Sequence, residues 1–309
     1  MAKILVTGGA GFIGSHIAEE LCGKNEVVVL DDLSTANEQS TSFVRALPLG
    51  FVEGSINDRT TLDRLLPDVD YVLHQAAIPS VPRSIEDPLA SNRANVGGTL
   101  NLLKACVDND VERVVCASSS SVYGDTPALP KVETMNPDPK SPYAVSKLIG
   151  EHYCRVFSEL YGLKATSLRY FNVFGSRQNP FSQYSAVIPK FVYSALDNKP
   201  LVIYGDGEQT RDFTYVKDVV AANLLAAQES TTGVFNIAGG KQITINELAE
   251  RIISLTGSSS DIVHEQVRKG DVLHSLADIS KAEKELGWKP KYSLEAGLKE
   301  YIEWARETR

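Results

Sequence analysis

Tyr143 and Lys147 stand four residues apart, so on a helix both side chains share one face. An ammonium beside a phenol favours the phenolate and lowers its pKa, which makes Tyr143 a candidate general base near neutral pH. Read alone, a Tyr-x-x-x-Lys pair is common on helix surfaces; its place in the chain gives it weight. The run Ser118–Ser121 follows an apolar, strand-like segment at Val114–Ala117, and open α/β sheets bind ligands at the carboxyl ends of their strands.

A second constellation lies at the N-terminus. Thr7–Gly14 follows an apolar run and opens a helix-spaced segment. It reads as GxGxxG through Gly9, Gly11 and Gly14, and as GxxGxxG through Gly8, Gly11 and Gly14. Glycine permits the tight turn and lets backbone approach a pyrophosphate, which then sits on the helix N-terminus. Asp31 and Asp32 follow 17 and 18 residues after Gly14. A carboxylate there accepts hydrogen bonds from an adenosine ribose and repels a 2′-phosphate. With no Arg or Lys at that strand end, the pattern favours NAD over NADP.

The elements that must position these groups alternate. Strand-like runs at Ile4–Thr7, Val27–Leu30, Phe51–Val52, Tyr71–Leu73, Val114–Ala117 and Ala165–Tyr170 are interleaved with helical spacing at Phe12–Leu21, Asn95–Val107 and Pro142–Leu160. Such alternation predicts parallel strands joined by crossovers, hence a doubly wound α/β sheet. After Asn172 the pattern loosens. Ser176–Ser185 is polar and loop-like, and shorter pieces follow: helices near Ala186–Leu196 and Asp218–Ala227, a strand near Leu201–Ile203, and Val234–Ile237, which returns to the main sheet. Thr244 and Glu247 have capping-box spacing ahead of a helix to Thr256, with Gly257 as its C-cap. The last helix spans about Leu294–Glu307.

The composition agrees. With 309 residues, 43% hydrophobic and 23% charged, the chain has the make-up of a globular protein with a sizeable core. A net charge of −8 argues against a general nucleic-acid or anionic-membrane binder. The cysteines Cys22, Cys106, Cys116 and Cys154 form no CxxC pair, and His16, His74, His152, His264 and His274 show no metal-ligand spacing, so no metal is expected. His74, at a strand end, reads as structural. No apolar run approaches the ~20 residues of a membrane helix, and the N-terminus lacks a signal-peptide pattern. Sparse cysteines then predict a reducing, cytoplasmic setting.

These residues resemble a known family. TGGAGFIG at Thr7–Gly14, SSSSVYGD at Ser118–Asp125, SPYAVSK at Ser141–Lys147 and LRYFNVFG at Leu168–Gly175 look like the extended short-chain dehydrogenase/reductases. Within these the chain most resembles the NAD-dependent nucleotide-sugar 4-epimerases, an isomerase group. The resemblance continues through Gly205–Gly207, Thr210–Phe213, Phe235–Ile237 and Arg268–Asp271. It implies a Rossmann domain over about residues 1–172, with the chain returning to it at about 211–240. A smaller C-terminal α/β substrate lobe is implied, mainly over residues 173–309.

By that resemblance Gly8, Gly11, Phe12, Ile13 and Gly14 cradle the pyrophosphate of NAD. Asp31, Asp32, Ser34 and Thr35 attend the adenosine ribose. Ser55 and Ile56 lie where the family has Asp-Ile against the adenine, so Ser55 departs from the pattern. Gln75, Ala76, Ala77 and Tyr170 complete the cofactor site, and Asn95 either contacts the cofactor or braces the residues that do. Lys147 binds the nicotinamide ribose and tunes Tyr143. Ser119 aligns best with the catalytic hydroxyl, with Ser118 and Ser121 as alternatives. Asn172, Ala186, Val187, Val202, Tyr204, Arg211, Arg268 and Asp271 match contacts to a UDP-sugar.

The implied reaction inverts C4. Tyr143 takes the 4-hydroxyl proton, the 4-hydrogen passes to NAD as hydride, the 4-ketone turns over and hydride returns to its other face. A dehydratase of this family carries Asp-Glu where Ser120-Ser121 stand, so dehydration is not expected. A glucuronate decarboxylase, a 4-keto-sugar reductase or a non-catalytic NAD-sensing protein are the rivals. Counting four residues past Asp271 gives Ser275 at the family's gate position. A small residue there goes with N-acetylated sugars, which implies UDP-GlcNAc and UDP-GalNAc as substrates, with UDP-Glc and UDP-Gal as a second pair. A homodimer through the 95–107 and 142–160 helices is also implied.

Overall fold

The computed structural model describes residues 1–180, 186–228, 231–267 and 273–309. The chain runs β1 (Lys3–Thr7), α1 (Phe12–Leu21), β2 (Glu26–Asp31), α2 (Glu38–Arg45), β3 (Gly50–Glu53) and α3 (Arg59–Leu65). Next come β4 (Tyr71–His74), the short helices α4 (Val81–Glu86) and α5 (Pro88–Asn92), and α6 (Gly98–Asp108). Then follow β5 (Arg113–Ser119), α7 (Pro142–Tyr161) and β6 (Lys164–Tyr170). The remainder is β7 (Val173–Phe174), α8 (Val187–Leu196), β8 (Leu201–Tyr204), β9 (Thr210–Asp212), β10 (Thr214–Tyr215), α9 (Val216–Gln228) and β11 (Gly233–Ile237). It closes with β12 (Gln242–Thr244), α10 (Ile245–Thr256), β13 (Ile262–Glu265), α11 (Ser280–Leu286) and α12 (Leu294–Glu307).

Seven strands form one parallel sheet in the order β11-β6-β5-β4-β1-β2-β3. The central strands are apolar on both faces because helices cover both. Val6, Ile17, Val29 and Val219 pack one face under α1 and α9. Leu5, Leu62, Val72, Leu102 and Phe157 pack the other under α3, α6 and α7. The chain order reverses between β1 and β4, the switch point at which such sheets open a crevice. The expected return of Val234–Ile237 is seen as β11, paired to β6 at the sheet edge.

A second core belongs to the C-terminal lobe, where Ile188, Phe191, Leu248, Ile252, Leu298 and Tyr301 join α8, α10 and α12. Capping sets α10 as expected. Thr244 and Glu247 form a capping box, and Gly257 closes α10 in the left-handed region with φ 68°. Two features differ from the sequence reading. The helix expected from Asn95 is entered through a π-helical turn at Arg93–Gly97. Ala282, Leu286 and Trp288 pack into the first core, so the chain crosses back to the first lobe once more than expected.

Candidate active site

The turn after β1 is built by close contact. Gly8 has φ +69°, and a Cβ on it would sit 2.5 Å from the Ala76 nitrogen, while one on Gly14 would sit 2.1 Å from the Gly8 oxygen. Only glycine lets β1, α1 and the end of β4 approach this closely. The N-cap of α1 is Gly11, which supplies no side-chain cap, so first-turn N–H groups face the crevice as an anion site. A cavity of about 390 Å³ lies there, lined by Gly8, Gly11, Phe12, Ile13, Gly14, Asp31, Asp32, Ser34, Thr35, Ser55, Ile56, Gln75, Ala76, Ala77, Tyr143, Lys147 and Tyr170. The residues expected around NAD are thus brought together, and their bare turn fits its pyrophosphate.

Asp31 is buried. Its Oδ2 accepts from Ala10 N–H at 2.9 Å and its Oδ1 from Leu33 N–H at 2.8 Å. Burial pushes its carboxyl above the usual range, and those backbone donors pull it back. Asp32 accepts from the Ser34 N–H at 3.0 Å and from its hydroxyl. The two carboxylates therefore shape the loop as well as line the cavity. Gln75, Tyr170 and Asn223 form one network at the cavity floor, with Gln75 Nε2 donating to Asn223 Oδ1 at 3.0 Å and Tyr170 Oη to Gln75 Oε1 at 3.2 Å. Asn223 was missed by the sequence reading; it comes from α9, 148 residues from Gln75.

Of the two roles expected for Asn95, the structure gives it the bracing one. Its Oδ1 accepts from Ile78 N–H at 2.8 Å and its Nδ2 donates to Ser146 Oγ at 3.0 Å. It braces the wall from behind, and its neighbour Ala94 lines the cavity instead. His74 is structural, as expected. It sits between the Thr7 and Thr99 hydroxyls at 2.7 and 2.9 Å. Burial, helped by the Lys147 charge, pushes its pKa down to about 3.

At the end of β5 the three candidate serines separate. The Ser118 hydroxyl donates to buried Glu151, which also takes Arg169 Nε and Nη2 at 2.8 and 2.7 Å. That hydroxyl is committed to a buried ion pair, although the residue also lines the cofactor cavity. Ser121 Oγ is buried without a partner among the described residues. Ser119 Oγ accepts from Ser121 N–H at 3.2 Å and is near enough to the Tyr143 phenol to pull its pKa down. α7 presents Tyr143 here because Ser141 caps it, accepting from Ala144 N–H, with Pro142 in the first turn.

The electrostatics of Tyr143 correct the sequence reading. Burial pushes the phenol above its ordinary pKa, opposed by the nearby Ser119 hydroxyl. Lys147 is itself pushed down to about 8, chiefly by burial. Spacing places the ammonium on the phenol's face but carries no information about desolvation, which here dominates both groups.

A second cavity of about 650 Å³ is lined by Asn172, Ala186, Val187, Val202, Tyr204 and Arg211, and by Tyr193, Lys190, Lys199, Gln209 and Phe213, which the sequence reading had not named. The two cavities share Ala186. Asn172 has φ +36° and donates to the Asp212 carbonyl at 2.8 Å. Its Nδ2 also reaches Ser275 Oγ at 3.4 Å, so Ser275 meets the cleft through Asn172. Arg268 and Asp271 lie outside the described residues. Among the described residues no group of three or more His, Cys, Asp or Glu could hold a metal, and no helix is long and apolar enough to cross a membrane.

A glycine-turn dinucleotide crevice with a Ser-Tyr-Lys set at its mouth defines a short-chain dehydrogenase/reductase. Residues 4–238 match the family model described as the NAD dependent epimerase/dehydratase family. The chain is similar to a UDP-N-acetylglucosamine 4-epimerase from Methanobrevibacter ruminantium in complex with UDP-N-acetylmuramic acid, at 43% identity and TM-score 0.96 over 100% of this chain and 99% of that one. It is similar to a UDP-glucose 4-epimerase from Thermotoga maritima with UDP-glucose, at 40% identity and TM-score 0.94 over 99% of each. A curated relative, UDP-N-acetyl-alpha-D-glucosaminuronate decarboxylase from Bacillus cytotoxicus, is 36% identical over 322 residues, covering 99% of this chain and 98% of the relative. The chain belongs to the NAD dependent epimerase/dehydratase family, and its cofactor is NAD.

Proposed function

We propose that the protein is a UDP-sugar 4-epimerase that interconverts UDP-GlcNAc and UDP-GalNAc and also accepts UDP-Glc and UDP-Gal. The observation that carries this reading is Tyr143 with Lys147 in the wall of a cofactor cavity that adjoins a second, nucleotide-sized cavity at Ala186. NAD would be held by the glycine turn, Asp31 and Lys147 and would supply hydride chemistry at C4 of the sugar. Tyr143 takes the proton of the 4-hydroxyl and later returns one to the 4-oxygen. Ser119 hydrogen-bonds that oxygen in both states. Lys147, held by the Ala117 carbonyl at 2.8 Å, fixes the positive charge beside the phenol. Arg211 and Asn172 hold the diphosphate while the ketone turns.

The sugar preference rests on Ser275. A small side chain against Asn172 leaves room for an acetamido group in both orientations of the ketone, and extra room seldom rejects a smaller substrate. A decarboxylase reading is kept in view by the relative named above, since that reaction begins with the same C4 oxidation. The test is incubation with the four UDP-hexoses and UDP-glucuronate, product stereochemistry being read by NMR. Interconversion of the acetylated pair supports the proposal, as does its loss in Ser275→Tyr with UDP-Gal turnover retained. Inert acetylated sugars, or release of carbon dioxide from UDP-glucuronate without epimer, would remove it.

A further inference from the structure

Arg177 takes no part in proton transfer, yet it is a buried cation with a positive backbone φ of 63°, a conformation unfavourable for a bulky side chain. Its surroundings hold it there. Nε donates to Ser15 Oγ at 3.0 Å, and Nη2 donates to Glu19 Oε2 at 2.6 Å. The guanidinium also stacks 4.1 Å from the Phe43 ring centroid. Asn37 Nδ2 donates to the Arg177 carbonyl at 3.1 Å, and His16 Nε2 meets the preceding carbonyl, that of Ser176, at 2.9 Å. A carbonyl only accepts, so His16 carries its proton on Nε2.

Every one of these partners belongs to the dinucleotide lobe. Ser15, His16 and Glu19 lie on α1, the helix whose N-terminus faces the pyrophosphate site; Asn37 caps α2 and itself lines the cofactor cavity. The next two residues of the strap, Gln178 and Asn179, line the same cavity. The strap leaves β7 and crosses to α1 and α2, with Arg177 as its deepest anchor. An epimerase that returns its hydride within one turnover gains from a cofactor that does not leave, and this strap closes one wall of the cavity.

We propose that Arg177 is the latch that retains NAD: it pins the 176–179 strap across the cofactor cleft, and its removal turns a resident cofactor into an exchangeable one. The proposal rests on NAD being bound in the glycine-turn crevice. Its test measures release directly. Wild type, Arg177→Ala, Arg177→Lys and Glu19→Gln are loaded with radiolabelled NAD, desalted and chased with unlabelled NAD. The expected result is about tenfold faster release from Arg177→Ala, the scale of losing a charge-assisted anchor, with a smaller acceleration in Glu19→Gln and partial recovery in Arg177→Lys.

Ile302→Val, a core change in the second lobe, serves as the control for general loosening; it is expected to lower the melting temperature of the NAD-free protein without speeding release. Equal release from wild type and Arg177→Ala would overturn the latch, as would equal acceleration by Ile302→Val. If Arg177→Ala does not fold, the Glu19→Gln rate decides, and its equality with wild type overturns the proposal. A wild type that takes up no label and releases no NAD on denaturation overturns the cofactor reading itself, and the latch with it.

Discussion

The Lys147 ammonium lies 5.9 Å from the centroid of the Tyr143 ring, and Nζ is tied to the Ala117 carbonyl at 2.8 Å. Helix α7 brings the two groups to one face, and strand β5 holds the ammonium there. Burial shifts both toward their neutral forms, the phenol upward and the ammonium down to about 8. The resting enzyme therefore holds a protonated phenol, and its active form becomes more populated as pH rises. kcat/KM is expected to climb from pH 6 and to stop climbing near pH 8, where Lys147 loses the charge that supports the phenolate. A profile that is flat from pH 6 to 9 contradicts this coupling.

Tyr143→Phe deletes the base and leaves the ring. Turnover should fall by about 10²–10⁴-fold, with bound NAD measured after denaturation unchanged. Ser119→Ala removes one donor to the reacting oxygen and should cost about 10²–10³ in kcat. Near-wild-type turnover in either variant would take that residue out of the chemistry. Ser118→Ala should instead be read as lost stability in urea unfolding, because its hydroxyl serves Glu151.

His74 carries a stability prediction. Its folded pKa of about 3 lies below its ordinary value of 6.5, so its contribution is present above pH 6.5 and is lost as pH falls toward 3. Between pH 7 and pH 5 the unfolded chain gains a proton that the folded chain refuses, worth about 2 kcal/mol. Urea unfolding of wild type and His74→Gln should diverge by about that amount over this interval, wild type losing more. Parallel pH dependence in the two proteins would show that His74 is protonated in the fold.

An assembly prediction follows from the surface. Ile85 on α4, Leu89 on α5 and Val145 on α7 are large apolar side chains left exposed on helices that pack together, and such patches mark interaction sites. The proposed occupant is a second copy, pairing helices across a twofold axis. Sedimentation at micromolar concentration should give a dimer, and Leu89→Glu with Val145→Glu should shift it to monomer. A wild-type monomer under those conditions removes the proposal.

The local parts of the site were legible in the sequence. The glycine turn, Asp31 and Asp32, and Tyr143 with Lys147 are each defined within one turn and its flanking elements, where spacing is geometry. Helices α1 and α12 fall where the sequence places them, at Phe12–Leu21 and Leu294–Glu307. What was not legible depends on distant partners. Asn223 reaches Gln75 from α9 and Arg177 reaches α1 across 162 residues, with no local pattern to announce either. α11 is seven residues long and mostly charged, too short for a period, so its docking in the first core could not be read. The shift of Tyr143 was misjudged because burial, unlike spacing, is a property of the finished fold.

The central claim is that C4 inverts by removal and return of the same hydrogen. Its most direct test is turnover of UDP-GlcNAc in deuterium oxide, with the UDP-GalNAc formed examined by proton NMR. The account predicts epimer with full proton intensity at C4, because the hydrogen leaves and returns within the site without exchanging with water. Deuterium at C4 of the product, or no epimer from any UDP-hexose by an enzyme that holds NAD, would contradict it.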